Sequence, residues 1–131
     1  MTDRSAPTQR FTDRASDYAR WRPGYPAGVV TAIQDVAGLA PDWVVADVGS
    51  GTGISAKLFL DFGCTVYGVE PNEAMRRVAE EMLAAEPRFH SVAGTAEATT
   101  LPSDSVDLVT AAQAFHWFDR PAARREFLRI L

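Results

Sequence analysis

The chain has 131 residues, and its 47% hydrophobic and 23% charged residues are typical of one globular domain. A single cysteine, Cys64, excludes an internal disulfide and a cysteine-based metal knuckle, and we predict no metal site. The net charge is −4, and the acidic excess lies in residues 23–118, which disfavours a nucleic-acid partner because phosphates need basic side chains. We recognise neither an export signal nor a membrane-spanning stretch, and therefore expect a cytoplasmic protein with no membrane partner.

The predicted elements alternate between helices and strands along most of the chain. Residues 1–10 are expected to be a flexible terminus, and 11–22 a short helix that ends before Pro23. The later elements are helices over 26–37, 52–63, 72–86 and 119–131 and strands over 44–48, 65–70, 88–94 and 106–114. This alternation predicts an open, mainly parallel α/β sheet with helices on both faces.

The spacing of apolar residues predicts which helical side chains face the core. Val30 and Val36 share one face of the helix over 26–37, and Met75 and Met82 share one face of the helix over 72–86. The last helix follows an aspartate, residue 119, which is expected to cap its first turn.

Residues 44–53, VVADVGSGTG, combine a buried strand with a turn that contains three glycines. Gly49, Gly51 and Gly53 tolerate a positive φ and carry no Cβ, so a ligand can lie directly against this backbone. In open parallel sheets, ligands bind beyond the carboxyl ends of the strands, where this turn lies. The alternative is a tight strand-to-helix turn that holds no ligand.

The spacing of the surrounding residues narrows the choice of ligand. A dinucleotide-binding turn needs a glycine where this chain has Ile54, and the lysine of a phosphate-binding loop is missing from the end of the turn. Asp47, just before the turn, suits a ligand with an ammonium or sulfonium charge. Glu70, 21 residues after Gly49, is placed like an acid that accepts hydrogen bonds from ribose hydroxyls, the alternative being a solvated acid at a strand end.

Four segments in order, DVGSGTG, VEPN, GTAEATTLP and VDLVTAAQAFHWFD, resemble the motif series of class I S-adenosylmethionine-dependent methyltransferases. The resemblance extends in particular to the small-molecule group that includes UbiE-like and trans-aconitate-like enzymes. It implies a Rossmann-like sheet, S-adenosyl-L-methionine as cofactor, S-adenosyl-L-homocysteine as product and a small organic acceptor. The positions that it assigns to cofactor contact are Tyr18, Arg22, Asp47, Gly49, Ser50, Gly51, Thr52, Gly53, Glu70, Pro71, Met75, Thr95, Ala96, Glu97 and Gln113.

The resemblance assigns each of these positions to one part of the cofactor. Asp47 and the glycine turn would hold its methionine part, and Glu70 would accept hydrogen bonds from the two ribose hydroxyls. Pro71 and Met75 would pack near the adenine ring.

The remaining positions would complete the cofactor site. Thr95 and the two residues after it would lie at the adenine edge, where the family often has an aspartate in place of this threonine. The resemblance therefore names no partner for the adenine amino group. Gln113 would approach the methyl donor, and Tyr18 and Arg22 would cover the cofactor or meet its carboxylate, or else belong to a surface helix.

Methyl transfer is an in-line displacement that needs alignment, exclusion of water and, for a weak nucleophile, a base. His116 is the candidate base because it follows the fourth predicted strand. The alternative is that His116 packs structurally among the aromatic rings of residues 115–118.

The family's sheet has seven strands in the order 3-2-1-4-5-7-6, whereas this chain supplies four, so we interpret 11–131 as a partial domain, truncated after the fourth strand. Three explanations are open: a fragment of a longer protein, a truncated gene product, or a natural half-domain that dimerises. A folded half-domain is expected to form a homodimer through strand four or the last helix, because unpaired strands are templates for association.

Three functional hypotheses follow. The first is a methyltransferase that uses S-adenosylmethionine and acts on a small organic acceptor. The second is a truncated module that binds S-adenosylmethionine or S-adenosylhomocysteine without turnover. The third, a nicotinamide-dependent oxidoreductase, is disfavoured because the glycine spacing differs from that of a dinucleotide site.

Overall fold

The computed structural model of the protein describes residues 28–111 and 119–131. Its elements in chain order are α1 (Gly28–Ala37), β1 (Val44–Val48), α2 (Ile54–Phe62), β2 (Thr65–Val69), α3 (Glu73–Met82), β3 (Phe89–Val92), β4 (Leu108–Thr110) and α4 (Arg120–Ile130). Outside the described residues lie the predicted helix over 11–22 and the predicted site residues Tyr18, Arg22, Gln113 and His116.

The four described strands form one parallel sheet in the order β3-β2-β1-β4. The central strands β1 and β2, VVADV and TVYGV, are rich in β-branched residues, which suit strands covered on both faces. The chain passes from β1 through β2 to β3 and then returns to the other side of β1 for β4, so the strand order reverses next to β1. The predicted open parallel sheet is confirmed.

Side chains alternate along β1 and enter two apolar clusters, one on each face of the sheet. On one face Val45 packs with Ala56 and Phe59 of α2, and α1 adds to the same cluster. On the other face Ala46 packs with Ala123 of α4. The prediction of helices on both faces is therefore also confirmed.

The ends of the helices follow the expected chemistry. The side chain of Asp119 accepts a hydrogen bond from the N–H of Ala122 at 3.2 Å, which confirms the predicted cap of α4. Asn72 caps α3 in the same way, by accepting from the N–H of Met75 at 3.0 Å. Within the described ranges, no helix is long and apolar enough to cross a membrane.

Two predictions of burial are wrong. Val36 is 90% exposed, because only the first part of α1 packs against the core. Met82 is 51% exposed, whereas Leu83, which follows the last residue of α3 and has left the helical conformation, is buried instead. Helical spacing shows which residues share a face, but it does not show how far the neighbouring elements extend.

The fourth strand also starts later than predicted. The N–H groups of Ser105 and Val106 donate to the carbonyl of Ile130 at 2.8 and 3.0 Å, so this stretch is bound to the end of α4. The stretch bound to α4 ends at Val106, because the N–H of Asp107 donates to the carbonyl of Val44 on β1 at 2.8 Å, and residue pairing with β1 follows from Leu108.

Candidate functional site

The glycine turn lies between β1 and α2, over the carboxyl end of β2. Gly49, Gly51 and Gly53 have φ values of 70°, 59° and 91°, all in the left-handed region that glycine adopts without strain. The N–H groups of Gly49 and Ser50 both donate to the carbonyl of Val69, at 2.7 and 3.2 Å. The turn is thus fixed to the end of the neighbouring strand.

Two of these glycines also lie close to side chains of α3 and of the residue that follows it. A Cβ on Gly51 would lie 3.0 Å from Cε of Met75, and one on Gly53 would lie 2.9 Å from Cδ1 of Leu83. Met75, which was expected near an adenine ring, therefore packs on the glycine turn. The absence of Cβ at these two positions brings the turn close to the helix.

Glu70 joins the glycine turn to the start of α3. One carboxylate oxygen accepts from the N–H of Gly51 at 2.8 Å, and the other accepts from the N–H of Asn72 at 3.0 Å. Arg76 donates to the main-chain carbonyls of Glu70 and Pro71, at 2.9 and 3.0 Å. An ionised carboxylate offers about four acceptor positions, so among the described residues each oxygen of Glu70 retains one for a further donor.

The environment of Glu70 is unfavourable for its charge. The residue is 7% exposed, and burial raises the pKa of its carboxyl group. The two backbone N–H groups and the charge of Arg76 offset only part of this increase. A ligand that donates hydrogen bonds to this carboxylate would stabilise its ionised form.

Asp47 lies near the carboxyl end of β1, beside the point where the strand order reverses. It is 1% exposed, and its two oxygens accept from the hydroxyls of Ser55 at 2.6 Å and Thr110 at 3.0 Å. Burial raises the pKa of Asp47 to about 6, although the two hydroxyls oppose this, and the charge of Glu70 adds to the increase. Two buried acids at one edge of a sheet create a negative potential that favours a cationic ligand.

Thr52, within the glycine turn, has an unsatisfied polar atom. The residue is 1% exposed, and its Oγ1 has no hydrogen-bond partner among the described residues. Because buried hydroxyls normally have a partner, this atom is an open hydrogen-bonding position in the turn.

The segment after β3 contains the three residues expected at an adenine edge. Oγ1 of Thr95 accepts from the N–H of Ala98 at 3.1 Å, which closes a short turn. Ala96 is buried in the cluster beneath α4, and Oε1 of Glu97 accepts from the N–H of Asp119 at 3.2 Å. The predicted site residues therefore follow the carboxyl ends of adjacent strands. The glycine turn follows β1, Glu70 follows β2, and the segment with Thr95 follows β3.

Sequence reasoning missed the residues that fix the two acids. Ser55 and Thr110 bind Asp47, and Thr110 belongs to a strand 63 residues further along the chain. The parallel register, which pairs Asp47 with Thr110, is the signal that would have found this contact. Asn72 and Arg76 contact Glu70 because the short turn into α3 places them beside it, where Asn72 binds its carboxylate and Arg76 binds its main-chain carbonyl.

Comparison with known proteins identifies the family. A family profile described as a methyltransferase domain matches residues 46–131. An uncharacterized methyltransferase of Mycobacterium tuberculosis is 35% identical over 121 residues, which are 92% of this chain and 47% of that protein. The chain spans about half the length of the curated relatives it matches.

Solved structures share the fold. A SAM-dependent methyltransferase from Aquifex aeolicus is 22% identical with a TM-score of 0.73, over 99% of this chain and 68% of that one. The cyclase SpnF is 21% identical with a TM-score of 0.71, over 84% of this chain and 43% of that one. At these identities the likeness shows the fold alone. The profile match over more than half of the sequence shows that the chain belongs to the class I S-adenosylmethionine-dependent methyltransferase family.

Proposed function

We propose that the carboxyl edge of the sheet binds S-adenosylmethionine and that the whole protein transfers its methyl group to a small organic acceptor. S-adenosylmethionine is the cofactor of this family. The observation that carries the proposal is the Glu70 carboxylate, which Gly51 and Asn72 hold by their backbone N–H groups directly beside the glycine turn.

The described residues fit this cofactor. Glu70 has two acceptor positions left for a pair of neighbouring hydroxyls, as in ribose, and its position is fixed by the backbone. Asp47 supplies a buried negative charge near the turn, which suits an ammonium or sulfonium group. The hydroxyl of Thr52, which has no partner in the part of the chain that the structure describes, is a further hydrogen-bonding atom in the turn.

The chain's contribution to catalysis is to bind and to orient. When bound, S-adenosylmethionine supplies a methyl group on a positively charged sulfur, which a nucleophile displaces in line. Glu70 would hold the nucleoside end through hydrogen bonds, and Asp47 would balance positive charge near the glycine turn. Both acids are already held by neighbouring hydrogen bonds, so little reorganisation is needed on binding.

The roles of Gln113, Tyr18 and Arg22 in this site remain predictions from the resemblance. His116 is the candidate base, and its substitution by alanine in a full-length relative tests that role. Turnover that falls at saturating acceptor supports a base, whereas unchanged turnover supports structural packing of the ring.

The choice of a small acceptor is part of the proposal. The order of the four motifs supports it, since the likeness is to UbiE-like and trans-aconitate-like enzymes. Incubation of the protein with a cell extract and methyl-labelled S-adenosylmethionine, followed by separation by size, tests it. Label in the low-mass fraction is expected, whereas label in protein or nucleic acid contradicts a small acceptor.

Titration calorimetry with S-adenosylhomocysteine, beside a methyl-transfer assay, tests the function as a whole. Saturable binding of S-adenosylhomocysteine is expected, whereas NADH, the control ligand, should not bind. Binding without transfer would identify a cofactor-binding module, the second hypothesis. Absence of binding would contradict the proposal.

Self-association is a separate proposal. It is supported by the position of β4 at an edge of the described sheet and by Leu128 on α4, which is 60% exposed. Sedimentation velocity is expected to show dimers that Leu128→Lys weakens, while Val36→Lys on α1 leaves them intact. A monomer at high concentration would contradict this proposal.

A further inference from the structure

A cluster of polar side chains joins α4 to the irregular segment between β3 and β4. Glu126 is 9% exposed and accepts from the N–H and the hydroxyl of Thr99, at 2.8 and 2.6 Å. Arg129 donates to both oxygens of Glu126, from Nε at 2.8 Å and from Nη2 at 2.7 Å. The same guanidinium also donates to the carbonyl of Leu101 at 2.6 Å and to the hydroxyl of Ser103 at 3.1 Å.

The segment that this cluster holds, residues 93–107, contains neither helix nor strand. Its conformation therefore depends on contacts with other elements. Thr100 has a φ of 68°, a left-handed conformation that is unfavourable for a β-branched residue. The residues on either side of Thr100 are the ones that bind Glu126 and Arg129, so the cluster maintains the strained backbone.

The segment is attached to α4 at three places. Glu97 binds the N–H of Asp119 at the start of the helix, the cluster binds the middle, and the N–H groups of residues 104–106 donate to the carbonyls of Arg129 and Ile130. The turn that contains Thr95 and Ala96 lies at the front of this segment. A displacement of the segment from α4 would move that turn.

We propose that Glu126 and Arg129 are positioning residues for the nucleoside end of the cofactor site, which they influence through the segment that contains Thr95 to Glu97. This inference rests on the proposed function, together with the resemblance, which assigns these three residues to the adenine edge. Neither side chain is proposed to touch the cofactor. The bidentate geometry suits the role, since two parallel hydrogen bonds fix orientation as well as distance.

Three substitutions in the 131-residue chain probe the cluster. Glu126→Gln keeps the size of the side chain but removes the charge that pairs with Arg129. Thr99→Val removes the hydroxyl that binds Glu126, and Thr99→Ser retains it. Ile130→Val, in the apolar core on the same helix, is the matched control because it leaves all the polar contacts in place.

The first measurement is amide hydrogen exchange in the cofactor-free protein. The N–H groups of Thr95 and Ala98 bond to carbonyls within the turn and do not touch the cluster. Glu126→Gln is expected to accelerate their exchange by about tenfold, as for a coupling between neighbouring contacts, whereas Ile130→Val leaves it close to that of the unsubstituted chain. Unchanged exchange in Glu126→Gln would overturn the inference without bearing on the proposed function.

The second measurement is the discrimination between S-adenosylhomocysteine and S-inosylhomocysteine, in which the 6-amino group of the base is replaced by a carbonyl and N1 carries a proton, so that the edge of the base reverses its hydrogen-bonding pattern. Glu126→Gln is expected to reduce the ratio of their dissociation constants by about tenfold, Thr99→Val by less, and Thr99→Ser and Ile130→Val hardly at all. Equal ratios in all variants would overturn the inference while leaving the proposed function intact. Failure of the unsubstituted chain to bind S-adenosylhomocysteine would overturn both.

Discussion

Two regions of the molecule bury carboxylates in opposite ways. At the carboxyl edge of the sheet, burial raises the pKa values of Asp47 and Glu70, and neither carboxylate forms an ion pair among the described residues. Beneath α4, Arg129 and Thr99 satisfy Glu126 and lower its pKa to about 2.

This difference separates the proposed binding region from a supporting one. Glu126 uses its acceptor positions on the protein itself, so its ionised form stabilises the fold. Asp47 and Glu70 retain acceptor positions among the described residues, and burial disfavours their charge. Both features are typical of acids whose hydrogen-bond or charge partners come from a bound ligand. The comparison therefore predicts that substitutions in the two regions change binding and stability in different proportions.

The largest effect is expected at Glu70. Glu70→Gln should weaken S-adenosylhomocysteine binding by about 100-fold or more, since an amide cannot accept from both Gly51 and Asn72, and two hydrogen bonds to a charged group are lost. Calorimetry measures the loss. Glu73→Gln is the control, an exposed acid on α3 that pairs with Arg77, and affinity that falls equally in both variants would contradict a specific role for Glu70.

Substitution of Asp47 should change stability and cofactor affinity in opposite directions. Asp47→Asn should raise stability at neutral pH by on the order of 2 kcal/mol, since it removes a buried charge while the hydroxyls of Ser55 and Thr110 can rotate to accept. The same substitution should weaken S-adenosylhomocysteine binding by about tenfold. Thermal unfolding and calorimetry measure the two changes, and a destabilised variant would show that the charge at position 47 supports the fold.

Glycine substitutions separate backbone strain from packing at the turn. Gly53→Ala should cost about 2 kcal/mol of unfolding free energy because it combines a positive φ with a contact to Leu83. Gly38→Ala should cost about 1 kcal/mol, since it has the positive φ but open space around it. Gly28→Ala, with open space and no positive φ, should change stability by less than about 0.5 kcal/mol. Chemical denaturation measures the series. Equal losses of unfolding free energy at positions 38 and 53 would contradict a contribution of the Leu83 contact to the cost at position 53.

A further prediction concerns the dependence of stability on pH. Asp47 has a folded pKa of about 6, above its ordinary value of 3.8, so its contribution to stability is complete below about pH 4 and is lost as pH rises through 6. Glu126 has a folded pKa of about 2, below its ordinary value of 4.5, so its contribution is present above 4.5 and is lost as pH falls towards 2.

Melting temperatures from pH 2 to 7 check both signs. Asp47→Asn should flatten the decline between about pH 4 and 6, and Glu126→Gln should flatten the rise between about pH 2 and 4.5. Profiles that run parallel to that of the unsubstituted chain would contradict the assignment of these groups.

Much of the fold could be predicted from the sequence because its signals are local. Alternating strand and helix patterns indicate parallel pairing, and the glycines and caps mark the helix ends. The exposure of Val36 and Met82 could not be predicted, because burial depends on where neighbouring elements end. The late start of β4 escaped prediction for a similar reason, since the end of α4 binds the N–H groups of Ser105 and Val106, which the sequence placed at or next to the strand.

The site divides in the same way. Glu70 and the glycine turn could be placed from spacing, because adjacent parallel strands end at one edge of the sheet. The contact of Thr110 with Asp47 depends on strand register, and the contact of Glu126 with Thr99 joins residues 27 apart through tertiary packing. The supporting residues of a site are therefore harder to find from sequence than the residues that follow a motif.

Chemical-shift mapping on titration with S-adenosylhomocysteine tests the central claim most directly. We expect saturable shifts at the amides of Gly51, Thr52, Asn72 and Ala96, with little change at Arg77 on the outer face of α3. Saturable binding that leaves the glycine turn and the end of β2 unshifted would contradict a cofactor site at the carboxyl edge of this sheet.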